Sequence, residues 1–136
     1  MAQLHLKIVT PEKLLIDEQV DQVNIPTEEG QIGILPHHTN LMAKLQPGEL
    51  VIKKSGKVDT LALGDGFLQM ADNTLTIMTD LATYAQDIDE KAVEEAKKRA
   101  EQALEQKLSN EEYAETLAIL EKTLAQLRVK RRHKVR

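Results

Sequence analysis

Asp87-Ile88-Asp89 separates two segments of the chain that differ in hydrophobic periodicity. Before this tripeptide, apolar residues recur at every second position in short runs interrupted by Gly, Pro, Asp and Asn, and after it they recur at every third or fourth position. A period of two predicts strands, and a period between three and four predicts helices. The carboxylate of either aspartate can accept hydrogen bonds from the free N–H groups of a first helical turn, and its charge is attracted to the positive end of the helix dipole. We therefore predict a joint at 87–89, between a β domain over 1–86 and a helical domain over 87–136.

Residues 1–86 predict short, mainly antiparallel strands at the spacing of a β-sandwich. The first strand is predicted at 4–8. Further strands are predicted at 13–17, 22–25 (ended by Pro26), 41–45, 49–54, 57–63, 66–71 and 74–79. Ser55-Gly56 and Asp72-Asn73 are suited to tight hairpin turns, and we read 49–79 as a meander. Because Phe67 is the only aromatic residue of that meander, the core is expected to consist of Leu, Ile, Val and Met.

Residues 87–136 predict an antiparallel pair of helices. The first carries a stripe of small residues and ends at Leu108, and Ser109-Asn110-Glu111-Glu112 is a capping box that begins the second. The stripe is Val93, Ala96, Ala100 and Ala103, and a heptad seam of Tyr113, Leu117, Leu120, Leu124 and Leu127 is expected to face it. The predicted fold class is thus α+β, a β-sandwich followed by a helical hairpin that is marginal alone and could move as a unit.

The charge of the chain is unevenly distributed. The net charge is −4, but residues 1–88 carry 6 Lys and Arg against 12 Asp and Glu, whereas 89–136 carry 12 against 10. The positive excess forms a basic end, which comprises Arg128, Lys130, Arg131, Arg132, Lys134 and Arg136. No aromatic residues are interleaved with these cations, which argues against nucleic acid as a partner. The basic end predicts an acidic protein surface as its partner, and a solvated terminus is the alternative.

Few sequence features point to chemistry. The chain has no cysteine, which excludes disulfides and thiol catalysis, and no phosphate-binding or hydrolase motif. His37-His38 is the best metal candidate, but adjacent side chains diverge, so we expect a polar loop and no metal. No apolar run approaches the roughly 20 residues that cross a bilayer, and 1–10 lack the apolar region of a signal peptide. We therefore expect a soluble, cytosol-facing chain without catalytic residues or membrane insertion.

Two motifs in order along the chain carry a family resemblance. Gly30-Gln31-Ile32-Gly33-Ile34-Leu35-Pro36-His37-His38 and Leu63-Gly64-Asp65-Gly66-Phe67-Leu68 are similar to the patterns GELGILPGH and GGFLEV. With the Ile88-Asp89 junction and the helical hairpin, the whole chain resembles the epsilon subunit of F-type ATP synthases of the bacterial and chloroplast type.

The resemblance implies a fold and partners. It implies about ten strands packed on the gamma subunit in the central stalk, and a sandwich end that contacts the polar loops of the c-ring through Gln31, His38 and Met42. A glutamate is common in the family at the position of Gln31, and a glycine at that of His37. It also implies a hairpin that either folds on the sandwich or extends into the catalytic head of alpha and beta subunits, where it blocks ATP hydrolysis.

Some members of that family bind ATP on the folded hairpin through Ile-Asp-x-x-Arg-Ala. Here Ile88, Asp89 and Arg99 are retained, but Ala92 stands in place of the motif arginine. Lys91 points about 100° away around the helix and does not replace it. ATP binding is therefore expected to be weak or absent, and no cofactor is predicted.

The resemblance implies a non-catalytic rotor subunit that couples ion translocation to ATP synthesis and restrains hydrolysis. It would lie peripherally on the cytoplasmic face of the bacterial plasma membrane, or at the thylakoid equivalent. One alternative is a free-standing binding module that dimerises through its helical hairpin. Another is an enzyme with a metal at His37 and His38.

Overall fold

The computed structural model describes residues 2–106 and 108–135, and the side chains at 134 and 135 lie outside that description. The strands are β1 (Leu4–Val9), β2 (Leu14–Val20), β3 (Gln22–Thr27), β4 (Gly30–Ile34), β5 (Leu41–Lys44), β6 (Gly48–Lys54), β7 (Lys57–Leu63), β8 (Gly66–Ala71), β9 (Thr74–Thr79) and β10 (Ala82–Tyr84). A 3-10 turn (Ala85–Asp87) leads into α1 (Glu90–Leu104) and α2 (Asn110–Val135). The predicted fold class, a sandwich followed by two helices, is confirmed.

The strands form two five-stranded sheets that face each other. The first sheet has the order β2-β1-β9-β8-β5 and the second the order β10-β7-β6-β3-β4. Among the described pairs β1 and β9 run parallel, and the others are antiparallel. The predicted meander is wrong at one point, because the chain changes sheet between β7 and β8, and β8 pairs with β5 and β9.

Two strand predictions also need correction. Pro26 does not end β3, which continues to Thr27, because Pro26 lies beyond the residues that pair with β6 and its missing N–H breaks no bond there. β10 was not predicted, since three residues are too few for a periodic pattern.

The core lies between the sheets and has the predicted composition. It is built from the inward-facing Leu, Ile and Val side chains of both sheets together with Met70, and most of them have no exposed surface. Phe67 points outward and is 54% exposed. The predicted turns are confirmed, because Ser55, Gly56, Asp72 and Asn73 all have positive φ, between 50° and 79°. Two adjacent residues with positive φ match the twist of a tight hairpin.

The two helices form a hairpin that packs on the second sheet. The long helix α2 contacts β6, β7 and the 3-10 turn, and along its own length it packs on α1. Helix α1 ends at Leu104 and not at the predicted Leu108. The predicted cap of α2 is confirmed for Ser109, since the Glu112 backbone N–H donates to Ser109 Oγ at 3.2 Å. The Glu112 carboxylate accepts a hydrogen bond from the Ser109 hydroxyl at 2.9 Å, instead of the backbone N–H contact of a full capping box.

The predicted heptad seam is buried only at its C-terminal part. Leu127 packs in one apolar cluster with Val93 of α1, which agrees with the prediction. Tyr113 and Leu117 at the other end are 49% and 37% exposed. Part of α2 packs on the sandwich instead of on α1. The heptad pattern was interpreted for two helices alone, and it therefore predicted more burial of Tyr113 and Leu117 than the structure has.

Candidate functional site

The joint at 87–89 is anchored in a small apolar cluster between the sandwich and the helices. Ile88 is 5% exposed and packs with Ala62 of β7, Ala85 of the 3-10 turn and Leu127 of α2. Asp89 caps α1, because its Oδ1 accepts hydrogen bonds from the backbone N–H groups of Lys91 at 3.1 Å and Ala92 at 3.3 Å. Of the two candidate aspartates, Asp89 is therefore the cap.

Part of the basic end links the two helices. Arg131 donates from Nη2 to Glu94 Oε1 at 2.9 Å and from Nε to Glu90 Oε1 at 3.4 Å. Both carboxylates belong to α1. This arginine therefore ties the end of α2 to the beginning of α1.

Another part of the basic end links α2 to the sandwich. Arg132 Nη1 lies 3.1 Å from Glu49 Oε1 on β6, and Lys130 Nζ donates to the carbonyl oxygens of Ala85 at 3.2 Å and Gln86 at 3.4 Å. Arg128 is exposed and lines a cleft between α2 and the second sheet. Arg136 and the side chain of Lys134 lie outside the described part of the chain.

A third link to the sandwich lies on α2 outside the predicted basic end. Lys122 Nζ is 2.6 Å from Asp80 Oδ2, in the connection between β9 and β10. The sequence offered no signal for this pair or for Arg132–Glu49, because the partners are 42 and 83 residues apart in the chain.

The residues predicted to contact the c-ring are only partly brought together. His38 and Met42 line one depression with Glu28 and Lys44, and Met42 is 72% exposed. Gln31 is exposed on β4, one residue after the turn at Gly30, but it lines the cleft beside Arg128 and Arg132. The set is therefore spread over two neighbouring surfaces around the β3–β4 turn.

The His37-His38 loop is organised by backbone contacts. His37 has a φ of 63°, in the left-handed region that favours glycine, and its backbone N–H donates to Asn73 Oδ1 at 2.7 Å. The ring Nδ1 of His38 lies 2.8 Å from the carbonyl oxygen of Thr39. Among the described residues, no group of three or more His, Asp and Glu side chains is placed to hold a metal.

Two of the three residues retained from the nucleotide motif, Ile88 and Asp89, take part in contacts that hold the joint and the first helix. Ile88 is buried in the joint, and the Asp89 carboxylate is occupied as the cap of α1. Arg99 is exposed on α1. The prediction of weak or absent ATP binding stays a prediction.

Two side chains of the sandwich have shifted acidities. Burial raises the pKa of the Tyr84 phenol, and the nearby carboxylates of Asp59, Glu18 and Asp87 raise it further. In the first sheet, the hydrogen bond with the His5 ring lowers the pKa of Asp17 from 3.8. Tyr84 directly precedes Ala85 of the joint cluster, whereas Asp17 of β2 contacts His5 of β1.

A feature that periodicity did not single out is an exposed apolar patch on the outer face of the first sheet. Phe67 of β8 pairs with Met78 of β9, and Met42 of β5 lies on the same face. These three residues, the outer-face patch, are 54%, 45% and 72% exposed. The available signal was that Phe67 is the lone aromatic residue of 49–79. No helix in residues 2–106 and 108–135 has both the length and the apolar character to cross a bilayer.

Comparison with known families gives a match over nearly the whole chain. Residues 3–85 match the ATP synthase delta/epsilon chain β-sandwich domain, and residues 86–131 match the long α-helix domain of the same chains. An ATP synthase epsilon chain of Nitratidesulfovibrio vulgaris is 41% identical over 127 residues, which are 93% of this chain and 95% of that one. The epsilon chain of Herpetosiphon aurantiacus is 40% identical over 126 residues, 93% of each chain.

Two solved structures share the fold. A chain in the cryo-EM structure of the Euglena gracilis mitochondrial ATP synthase (OSCP/F1/c-ring) superposes with a TM-score of 0.78 at 23% identity, over 100% of this chain and 83% of that one. A chain in the central stalk and c-ring structure of the Tetrahymena thermophila enzyme gives a TM-score of 0.63 at 19% identity, over 93% and 95%.

Proposed function

The chain belongs to the ATP synthase delta/epsilon family, and from this premise we propose that it links the gamma subunit to the c-ring in the central stalk and restrains ATP hydrolysis with its helical hairpin. The resemblance inferred from the two sequence motifs is thus confirmed at the level of the family. As a subunit of the ATP synthase complex, the chain is not itself the catalyst. Its place on the cytoplasmic face of a bacterial plasma membrane, or at the thylakoid equivalent, is part of the proposal.

The outer-face patch is the observation that supports gamma binding. Large apolar side chains exposed next to each other on a sheet have no role in folding the monomer, and such patches mark protein interfaces. Aromatic and methionine side chains are enriched in such interfaces. Phe67 and Met78, which pair across β8 and β9, provide both types, and Met42 borders them on the same face. We assign the part of this face at Phe67 and Met78 to the gamma subunit and its edge at Met42 to the c-ring contact.

The c-ring contact is assigned to the end of the sandwich around the β3–β4 turn. His38 and Met42 share a depression there with Glu28 and Lys44, so this end offers polar and charged groups to polar loops. Gln31 lies at the border of the same end, beside the cleft under α2. From this position Gln31 is close to α2 as well as to the proposed c-ring surface.

The inhibitory role is assigned to the hairpin. In this structure α2 is folded on the second sheet with α1 packed along it, and the contact of α2 with the sandwich consists of one small apolar cluster and a few polar and ionic contacts. A contact of this kind is compatible with a second position that differs by a few kcal/mol. The cations of α2 would then meet an acidic surface of the alpha and beta subunits.

Two measurements test the proposal. First, the full-length chain should retain gamma in a pull-down from mixed subunits, and so should a chain truncated after Asp87. Second, the complex with the truncated chain should hydrolyse ATP faster than the complete one, while ATP synthesis stays coupled. Equal hydrolysis in both complexes would remove the inhibitory role, and loss of gamma by the full-length chain would remove the stalk role.

A further inference from the structure

We propose that three docking contacts hold the helical hairpin on the sandwich without any ligand, and that Arg132–Glu49 is the principal one. The docking contacts are Arg132–Glu49, Lys122–Asp80 and the hydrogen bonds from Lys130 to the carbonyl oxygens of Ala85 and Gln86. The proposed function requires a hairpin that can move but does not say what keeps it folded. The inference concerns the isolated chain and stands whether or not the hairpin reaches a catalytic head.

The docking contacts flank α2 on two sides, because Lys130 and Arg132 are two positions apart and therefore about 200° apart around the helix. Lys122 and Arg132 are ten positions apart, which corresponds to about 15 Å along a helix. Lys122 pairs with the β9–β10 connection, Lys130 with the 3-10 turn and Arg132 with β6. Three separate parts of the sandwich therefore fix the position of one helix.

The apolar contact under α2 is limited to a few side chains, so the polar contacts add to the docking. Between α2 and the sandwich, the buried cluster contains Ala62, Ala85, Ile88, Leu127 and Val129, and Ala125 is also buried. Alanine contributes little apolar area, and stabilisation grows with the area removed from water. The balance between docked and released hairpin therefore depends on the ionic contacts.

Glu49 is the most protected carboxylate of the docking contacts. Its side chain is 11% exposed, compared with 43% for Asp80. Glu49 lines the cleft beneath α2, so the docked helix shields its pair with Arg132 from water, and the attraction is weakened less by solvent than that of an exposed pair. The Arg131 contacts differ, because Glu90 and Glu94 belong to the hairpin itself.

The docking contacts also occupy two cations of the basic end, Lys130 and Arg132. An acidic surface elsewhere would have to compete with Glu49 for Arg132. Raising the salt concentration from about 0.15 M to about 1 M shortens the screening length from about 8 Å to about 3 Å. High salt is therefore expected to release the hairpin in the isolated chain.

The test measures the position of the hairpin in the full-length chain. Because the sequence has no cysteine, Lys57→Cys on β7 and Glu115→Cys on α2 give two unique exposed sites for spin labels, and pulsed EPR gives the docked and released fractions. Glu49→Gln should raise the ratio of released to docked chains about twofold to fivefold. Glu101→Gln is the matched control, since it removes the same charge from an exposed pair with Lys97 inside α1.

A double-mutant cycle isolates the principal pair. Arg132→Gln should release the hairpin to a similar extent as Glu49→Gln, and the combination should add little more. Equal released fractions for Glu49→Gln and Glu101→Gln, or full additivity with Arg132→Gln, would overturn the proposal. If Glu49→Gln does not fold, as judged by far-UV circular dichroism, Arg132→Gln at an exposed helix position decides the outcome: no release by that variant overturns it.

Discussion

Lys122 Nζ lies 2.6 Å from Asp80 Oδ2, and this ion pair lies directly over Gly64. A Cβ atom placed on Gly64 would overlap with Asp80 Oδ1 and would lie 3.3 Å from Lys122 Cε. Gly64 follows the last residue of β7, where the chain leaves the second sheet for the first. The absence of a side chain at this crossover therefore makes room for a contact between the sandwich and α2.

Gly64→Ala is expected to destabilise the chain and to weaken hairpin docking. The added methyl group must displace the Asp80 side chain, and overpacking of this kind costs about 1–3 kcal/mol. Urea unfolding measures the loss of stability, and the EPR ratio measures release. Gly33→Ala is the control, because a Cβ there would meet the flexible end of Asn24 at 3.2 Å and no ion pair. Equal losses for the two variants would contradict the role of Gly64.

Asp89→Ala is expected to destabilise the hairpin by about 0.5–2 kcal/mol, the cost of losing a helix cap. The physical reason is the loss of both hydrogen bonds that Asp89 accepts from the first turn of α1. Asp87→Ala is the matched control, because Asp87 is exposed at the end of the 3-10 turn and does not cap α1. Hydrogen exchange of the α1 amides would show the difference, and similar protection in both variants would refute the assignment of the cap.

Local features of the fold were predictable from the sequence. Ser55-Gly56, Asp72-Asn73 and the cap of α2 at Ser109 act on immediate neighbours, so residue type and spacing were sufficient. The pairing of β5 with β8 and the parallel pair β1–β9 depend on how two sheets close on each other. Such long-range pairings leave no local signature, which is why the predicted meander was wrong between β7 and β8.

The candidate site was predictable in composition but not in partners. The basic end was recognisable as a charge cluster, yet two of its members, Arg131 and Arg132, pair with Glu90, Glu94 and Glu49 of the same chain. A charge cluster shows that a partner is needed and does not show whether that partner is internal. Phe67 was noted as a lone aromatic, but its exposure follows from the phase of β8, which only the sheet pairing fixes.

Phe67→Ser is expected to weaken gamma binding about tenfold or more without lowering the stability of the sandwich. The side chain is 54% exposed in the isolated chain, so its loss removes little from the core of the sandwich. In an interface, truncation of a buried aromatic anchor lowers the binding free energy by about 2 kcal/mol or more. Pull-down titration with gamma gives the affinity. Val58→Ser is the control, since Val58 is 56% exposed on β7 of the second sheet, outside the patch. A larger loss of gamma affinity for Val58→Ser than for Phe67→Ser would contradict the assignment and place the gamma interface on the second sheet.

The contact of His5 with Asp17 is expected to make stability depend on acid pH. The hydrogen bond from the His5 ring lowers the pKa of Asp17 from 3.8, and the positive charges of His5 and Lys7 act in the same direction. A carboxyl group with a lower pKa in the folded than in the unfolded chain contributes stability that is complete above about pH 5 and is lost as the pH falls through the folded value. Asp17→Asn should therefore be less stable than the parent chain at about pH 6, and the difference should shrink as the pH falls below about 3. Urea unfolding across this range measures it, and His5→Leu should remove the same difference, because a leucine side chain has no hydrogen-bond donor. A gap between parent and Asp17→Asn that stays constant down to the lowest pH would show that the contact does not couple folding to protonation.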